Sequence, residues 1–85
     1  MQFVIGNLPS ESTAEDVKTL LINDIGLNEF GAITITDGGN DTVLAVVQLL
    51  TDSTTAADVL TAKISGFYWK GRELTSSHTH MFKEQ

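Results

Sequence analysis

Two histidines near the C-terminus, His78 and His80, are spaced so that both imidazoles would lie on one face of a β-strand. Imidazole nitrogens are common ligands of zinc and other transition metals. The pair lacks the remaining ligands of such a site, because the chain has no cysteine, no third histidine and no carboxylate at matched spacing. We therefore expect no metal site and no cofactor.

A second group of residues combines aromatic rings with positive charge. Rings stack on nucleic-acid bases and cations neutralise phosphates, so such a group is a candidate edge for nucleic-acid binding. Most of it lies in the segment FYWKGREL, and the two histidines follow on the next strand. The members of this basic and aromatic edge are Tyr68, Lys70, Arg72, His78 and His80.

Patterns of catalysis are missing from the sequence. It contains no P-loop, no dinucleotide-binding glycine fingerprint and no defensible Ser-His-Asp order. The acidic segment DGGND lacks the distant glutamate of a calcium loop and is typical of a turn. A chain of 85 residues also has little material for a deep, walled pocket. We expect a binding module that is not an enzyme.

The composition indicates a small acidic protein that forms one domain over residues 1–85, with a core over about residues 2–81 and a tail at 82–85. Five Lys and Arg against eleven Asp and Glu give a net charge of −6, which disfavours non-specific binding to polyanions and membrane surfaces. No apolar run is long enough for a signal peptide or a membrane span, and the absence of cysteine makes no demand for an oxidising compartment. We expect a cytoplasmic protein without membrane contact.

The first half of the chain predicts strand, helix, strand. Phe3–Ile5 is a β-rich run that ends at the turn sequence GNLP. The sequence SESTAED then supplies a helix start, in which Ser12 or Thr13 caps the first turn. Apolar residues at helical spacing continue this helix to about Gly26. After a glycine-containing loop, ITIT alternates at period two and predicts the second strand.

The second half predicts a hairpin, a helix and a last strand. DGGND is a tight turn in which the glycines adopt positive φ, and TVLAVVQLL is an inner strand that is apolar on both faces. Asp52 or Ser53 caps the second helix, and Gly66 is its C-terminal cap. The inner stripe of this helix and the long side chains beside it are Ala56, Val59, Leu60, Lys63 and Ile64. FYWKGREL predicts a short hairpin that leads into a strand over TSSHTH.

The resulting order, β-α-β-β-α-β, is typical of the ferredoxin-like α+β class. In that arrangement a four-stranded antiparallel sheet carries two helices on one face. The opposite face stays open, and it is the place to look for a binding site.

Three motifs in this order resemble the RNA recognition motif (RRM) along nearly the whole chain. Phe3–Pro9 is similar to the hexamer of the family's first strand, with the Leu-Pro that commonly follows it. Thr42–Leu49 is similar to the octamer of its third strand. Ser65–Gly66 and Gly71–Leu74 are similar to the segment between its second helix and its last strand. The resemblance implies a single-stranded RNA partner.

In the family, one ring in the hexamer and two in the octamer stack on bases across the open face. The matching residues are Val4, Leu44 and Val46, so all three rings are replaced by aliphatic side chains. Each lost ring removes stacking worth ~1–3 kcal/mol. We therefore expect a nucleic-acid-binding module with a weak or non-standard binding mode.

The resemblance also fixes the neighbours of these aliphatic residues on the open face. An apolar centre with an uncharged rim favours a protein contact, so a protein–protein interaction or dimerisation module is the alternative function. The C-terminal residues Met81 or Phe82 are a further candidate to cover the same face. The expected RNA- or partner-binding residues are Val4, Leu44, Val46, Gln2, Gln48, Thr34 and Thr36, joined in the last strand by Thr75, Ser77 and Thr79.

Overall fold

The structure is a computed structural model that describes residues 2–50 and 54–79. The elements follow the predicted order, and the short hairpin predicted over FYWKGREL forms a two-stranded ribbon before the last strand. They are β1 (Gln2–Pro9), α1 (Ala14–Thr19) with a π-helical continuation (Leu20–Ile25), β2 (Ile33–Gly39), β3 (Thr42–Gln48), α2 (Thr54–Ile64), β4 (Tyr68–Trp69), β5 (Arg72–Glu73) and β6 (Thr75–Thr79).

Four strands form the main sheet in the order β2-β3-β1-β6, and every neighbouring pair is antiparallel. β4 and β5 pair with each other as a separate ribbon. The predicted α+β architecture of ferredoxin-like type is confirmed. β3 is an inner strand, as its apolar residues on both faces indicated.

The register of β1 separates the two faces of the sheet. Phe3 and Ile5 are fully buried on the helix side, whereas Val4 between them is half-buried on the other side. Val4 pairs with Val46 of β3 and with Ser77 of β6, so those two residues share its face. The period-two alternation of a strand is thus carried across the sheet.

The core lies between the sheet and the helices. It buries apolar side chains from β1, β3, both helical elements and the segment before β6. Burying a large aliphatic or aromatic side chain contributes ~1.5–3 kcal/mol each, so these residues hold the helices to one face of the sheet. The largest fully buried side chains are Phe3, Ile5, Leu8, Val17, Leu20, Leu21, Val47, Ile64 and Leu74.

α1 begins with a capping box. Thr13 is the N-cap: its Oγ1 accepts from the backbone N–H of Asp16 at 3.2 Å, and Asp16 Oδ2 accepts from the N–H of Thr13 at 3.1 Å. The helix ends at Gly26, with φ 87°, which is the predicted boundary. Its last six residues are π-helical, a feature that the sequence did not predict.

The turn between β2 and β3 forms where DGGND predicted it, but the positive φ angles are shifted along the chain. Asn40 and Asp41 adopt φ 52° and 62°, and Gly39 adopts 79°, whereas Gly38 belongs to β2 without a positive φ. The expectation that both glycines supply this geometry was therefore wrong for Gly38. Asn and Asp tolerate the left-handed region better than other side chains, which allows them to form the turn.

α2 packs on the sheet through Leu60 and Ile64 of the predicted stripe, together with Ala57. Ala57 and Ile64 are buried and Leu60 is partly buried, whereas Val59 is 52% exposed, so its placement on the inner stripe was wrong. Gly66 with φ 86° follows the helix as predicted. The predicted caps at 52 and 53 lie outside the described residues. Within the described ranges, neither helix has the length and apolarity needed to cross a membrane.

Candidate nucleic-acid interface

The open face of the sheet consists of three rows that cross the strands. The central row joins Thr34, Val46, Val4 and Ser77 through the strand pairings. A second row lies toward the start of β1 and a third toward its end. The second row is Gln48, Gln2 and Thr79, and the third is Thr36, Leu44, Gly6 and Thr75. Every position in these rows carries an uncharged residue.

Burial divides the face into a centre and a rim. In the centre, Val4, Leu44 and Val46 are half-buried. Around them, the threonines of β2 and the two strand-end glutamines present hydroxyl and amide groups, and of these Thr34, Thr36 and Gln48 are exposed. The face is therefore a shallow aliphatic centre bordered by neutral hydrogen-bonding groups.

Gly6 sets the shape of the face at the end of β1. A Cβ atom at this position would lie 2.5 Å from Thr75 Oγ1 and 3.3 Å from Leu44 Cδ2. The missing side chain therefore leaves room for Leu44 and Thr75 beside the backbone of β1.

The chemistry available on this face is hydrogen bonding and apolar contact. Hydroxyl and amide groups donate to and accept from base edges, and aliphatic side chains contact bases and ribose without the attraction of an aromatic ring. None of the positions in the three rows offers a charge to a phosphate. Neutral groups of this kind also suit a protein surface.

The structure divides the basic and aromatic edge into separate parts. Trp69 and Arg72 pair across the ribbon, and Tyr68 pairs with Glu73, so the tyrosine lies on the opposite face of the ribbon from the arginine. Tyr68 is 69% exposed. Lys70 occupies the turn between the two strands.

His78 lies away from the ribbon, on the helix side of β6. Its register partner is Phe3, a core residue, and its Nε2 atom lies 2.5 Å from Asp58 Oδ1 of α2. The side chain is only 17% exposed. Period-two alternation places it there, so the structure does not bring it together with Lys70 and Arg72. His80, the other histidine of the proposed edge, lies outside the described residues.

No group of three or more His, Asp or Glu side chains that could hold a metal occurs within residues 2–50 and 54–79. The pairing of His78 with a single carboxylate is a contact between β6 and α2.

Asn7 contacts the ribbon, and the sequence did not predict a role for it in a site. Its backbone is left-handed, with φ 66°, and its side-chain amide reaches the ribbon. Nδ2 donates to the carbonyl of Glu73 at 2.8 Å, and Oδ1 accepts from Nη1 of Arg72 at 3.3 Å. The turn sequence GNLP signalled the backbone conformation of Asn7 but not the partner of its side chain.

Comparison with known proteins defines the fold. No family model matches the chain, and no curated protein sequence matches it. The "Pes4 RRM3 Structure" matches with a TM-score of 0.70 at 18% identity, covering 93% of this chain and 90% of that chain. The Mip6 RRM3 domain matches with a TM-score of 0.71 at 18% identity, covering 89% and 88%. The Rna15 RRM with bound RNA (GU) matches with a TM-score of 0.66 at 15% identity, covering 93% and 82%. The chain has the fold of an RNA recognition motif.

Proposed function

We propose that this chain is a single-stranded RNA-binding module that uses the open face of its sheet without stacking bases on aromatic rings. The observation that carries the proposal is the uncharged, hydrogen-bonding face around Val4, Leu44 and Val46. It occupies the position at which the resembling family binds RNA. The fold shared with RRM structures, among them the Rna15 RRM with bound RNA (GU), supports this choice.

Binding by such a face is weak. Each stacking ring is worth ~1–3 kcal/mol per base, and the three matching positions are aliphatic. Hydrogen bonds from Thr34, Thr36 and Ser77 to base edges compensate only in part, because those groups are hydrated in the free protein. Recognition then depends on hydrogen-bonding pattern more than on stacking strength.

The net charge of −6 also weakens RNA binding. It repels the RNA backbone at long range and suppresses non-specific association. Binding therefore requires direct contacts with the RNA in place of general electrostatic attraction. Low affinity and low tolerance of changes in RNA sequence are expected together.

A protein–protein interaction or dimerisation module is the second candidate. The half-exposed aliphatic centre with its neutral rim favours it, since interface cores are depleted in charge and rims are polar. The same residues serve both functions. We favour RNA over a protein partner because the fold is that of a family of RNA-binding domains.

The test is a binding measurement on Leu44→Glu, read by fluorescence anisotropy with labelled pools of short RNA. Because Leu44 is only half-buried, the variant folds, while its carboxylate repels RNA from the centre of the face. Affinity falls at least about 5-fold, which is ~1 kcal/mol. Ile22→Glu is the matched control, since Ile22 is 40% exposed on the helical layer. Equal affinity of both variants and the wild type would contradict the proposal.

A further inference from the structure

The turn of the small ribbon holds a lysine in an unusual backbone conformation. Lys70 and Gly71 form the two-residue connection between β4 and β5, with φ 52° and 81°. Turns with two positive φ angles favour Asn-Gly, because a side chain with a Cβ atom is disfavoured in the left-handed region. A lysine here has a conformational cost, and residues in such conformations cluster at binding sites.

The ammonium group of Lys70 is held in place and yet accessible. Its Nζ lies 4.9 Å from the centroid of the Trp69 ring, which packs against the core and is a fixed platform. It also lies 4.0 Å from Asp16 Oδ1, and the Lys70 side chain is 50% exposed. An ion pair between side chains this exposed contributes little to stability, so it does not account for the lysine.

Arg72 is fixed beside this group by Asn7. One guanidinium N–H donates to Oδ1 of Asn7, while Nδ2 of Asn7 donates to the backbone carbonyl of Glu73 and so ties the ribbon to β1. A guanidinium carries five N–H donors. Within the described residues, Asn7 is the protein acceptor that the structure gives Arg72. The remaining donors match the paired oxygens of a phosphate group.

Asn7 joins Arg72 to the end of β1, where the open face ends. Asn7 directly follows Gly6, which belongs to the face, and Val4 is three residues away, or about 10 Å along β1. We propose that Lys70 and Arg72 form a phosphate-binding corner for RNA on the open face, with Asn7 as its positioning residue. The inference rests on the proposed function and names the part of that site that contacts the RNA backbone. On binding, the phosphate replaces Asp16 as the partner of Lys70.

Lys70→Asn separates binding from stability. Asparagine suits the turn better than lysine, so the midpoint of urea unfolding stays the same or rises, while RNA affinity falls severalfold. The dependence of log Kd on log salt concentration becomes shallower by about 0.7, the value for one phosphate contact on a single strand. Lys63→Asn is the control. It replaces an exposed lysine of α2 and leaves the salt dependence unchanged. Unchanged affinity and salt dependence in Lys70→Asn would overturn the phosphate-binding corner.

Asn7→Gly tests the positioning role. Glycine keeps the left-handed backbone but removes the amide, so the side-chain NMR signals of Arg72 shift before any RNA is added. RNA affinity falls in Asn7→Gly and in Arg72→Gln, and the double variant loses no more than Arg72→Gln alone. Additive losses would show that Asn7 does not act through Arg72 and would overturn its assigned role.

The outcomes distinguish this inference from the proposed function. If the wild-type chain binds RNA and Lys70→Asn binds it equally well with the same salt dependence, the phosphate-binding corner is wrong and the proposed function stands. If the wild-type chain binds no RNA, the proposed function is wrong, and the corner falls with it. A binding loss in the Lys70, Arg72 and Asn7 variants and in Leu44→Glu, with Lys63→Asn and Ile22→Glu unaffected, supports both.

Discussion

Val4, Leu44 and Val46 place aliphatic side chains at the centre of a sheet face whose register aligns them across β1 and β3. Their exposure is sufficient for contact with a ligand, but none has a ring to stack on a base. The binding strength of the face therefore depends on single side chains, and changing one of them is a direct test.

Leu44→Phe introduces one ring at the centre of the face. Stacking on a base is worth ~1–3 kcal/mol, so RNA affinity rises by about 5-fold or more in fluorescence anisotropy. Ile22→Phe places the same ring on the helical layer and leaves affinity unchanged. An equal gain in both variants would mean that any exposed ring suffices and would argue against the sheet face as the binding site.

Gly6→Ala tests the close packing over β1. The new methyl group would lie 2.5 Å from Thr75 Oγ1, and overpacking of this kind typically costs ~1–3 kcal/mol. Urea unfolding measures the loss, and Thr75→Ala in the same chain recovers most of it by removing that oxygen. Gly26→Ala, where a Cβ meets nothing within 4 Å, is destabilised for a different reason, its φ of 87°, and gains nothing from Thr75→Ala.

The sequence predicted which side chains share the open face, because strands alternate at period two and the motif matches fixed the register. It grouped His78 with Lys70 and Arg72, although His78 contacts Asp58 of α2 on the other side of the sheet. That contact depends on how α2 packs against β6. Spacing along the chain carries no signal for it.

Among the elements, α1 offers a sharp test of local stabilisation. Thr13→Ala removes the capping hydroxyl and costs ~1 kcal/mol in urea unfolding. Thr19→Ala is the matched control within the helix: it loses a bond from its hydroxyl to the carbonyl of Glu15 but gains helix propensity, so stability changes little. Equal losses in the two variants would contradict the role of Thr13 as the cap.

The sequence predicted both ends of the first helical element, because a capping box and a terminal glycine are local signals. The π-helical stretch Leu20–Ile25 was not predictable in the same way. Its apolar residues fit α-helical spacing equally well. Leu20, Leu21 and Ile25 are buried in the core, and local spacing carries no signal for how that packing changes the hydrogen-bond pattern.

At the scale of the whole molecule, charge limits how RNA binds. The three rows of the open face are uncharged, and Lys70 and Arg72 are the cations at the end of β1 that the phosphate-binding corner uses. Two phosphate contacts on a single strand give a salt slope of about −1.4, so affinity falls about 7-fold between about 50 and 200 mM salt. Titrations across that range measure it. A loss of a hundredfold or more would mean that the RNA follows a different and more basic surface.

The architecture of the molecule followed from the sequence, since element order and three motif matches agreed on one fold. The sequence did not predict what binds the open face, because an aliphatic centre with a neutral rim suits RNA and protein alike. The competing dimer is tested by solution mass at rising protein concentration. If the chain stays monomeric at every protein concentration and still binds RNA, the proposal of an RNA-binding module stands.

The most direct measurement is an NMR titration of the ¹⁵N-labelled chain with pools of short RNA. We expect the amide signals of Val4, Leu44 and Val46 to shift on addition of RNA, together with those of Lys70 and Arg72, while those of α2 stay in place. If these sheet signals do not shift with RNA but shift as protein concentration rises, the RNA-binding proposal is wrong. The face would then bind a second copy of the chain.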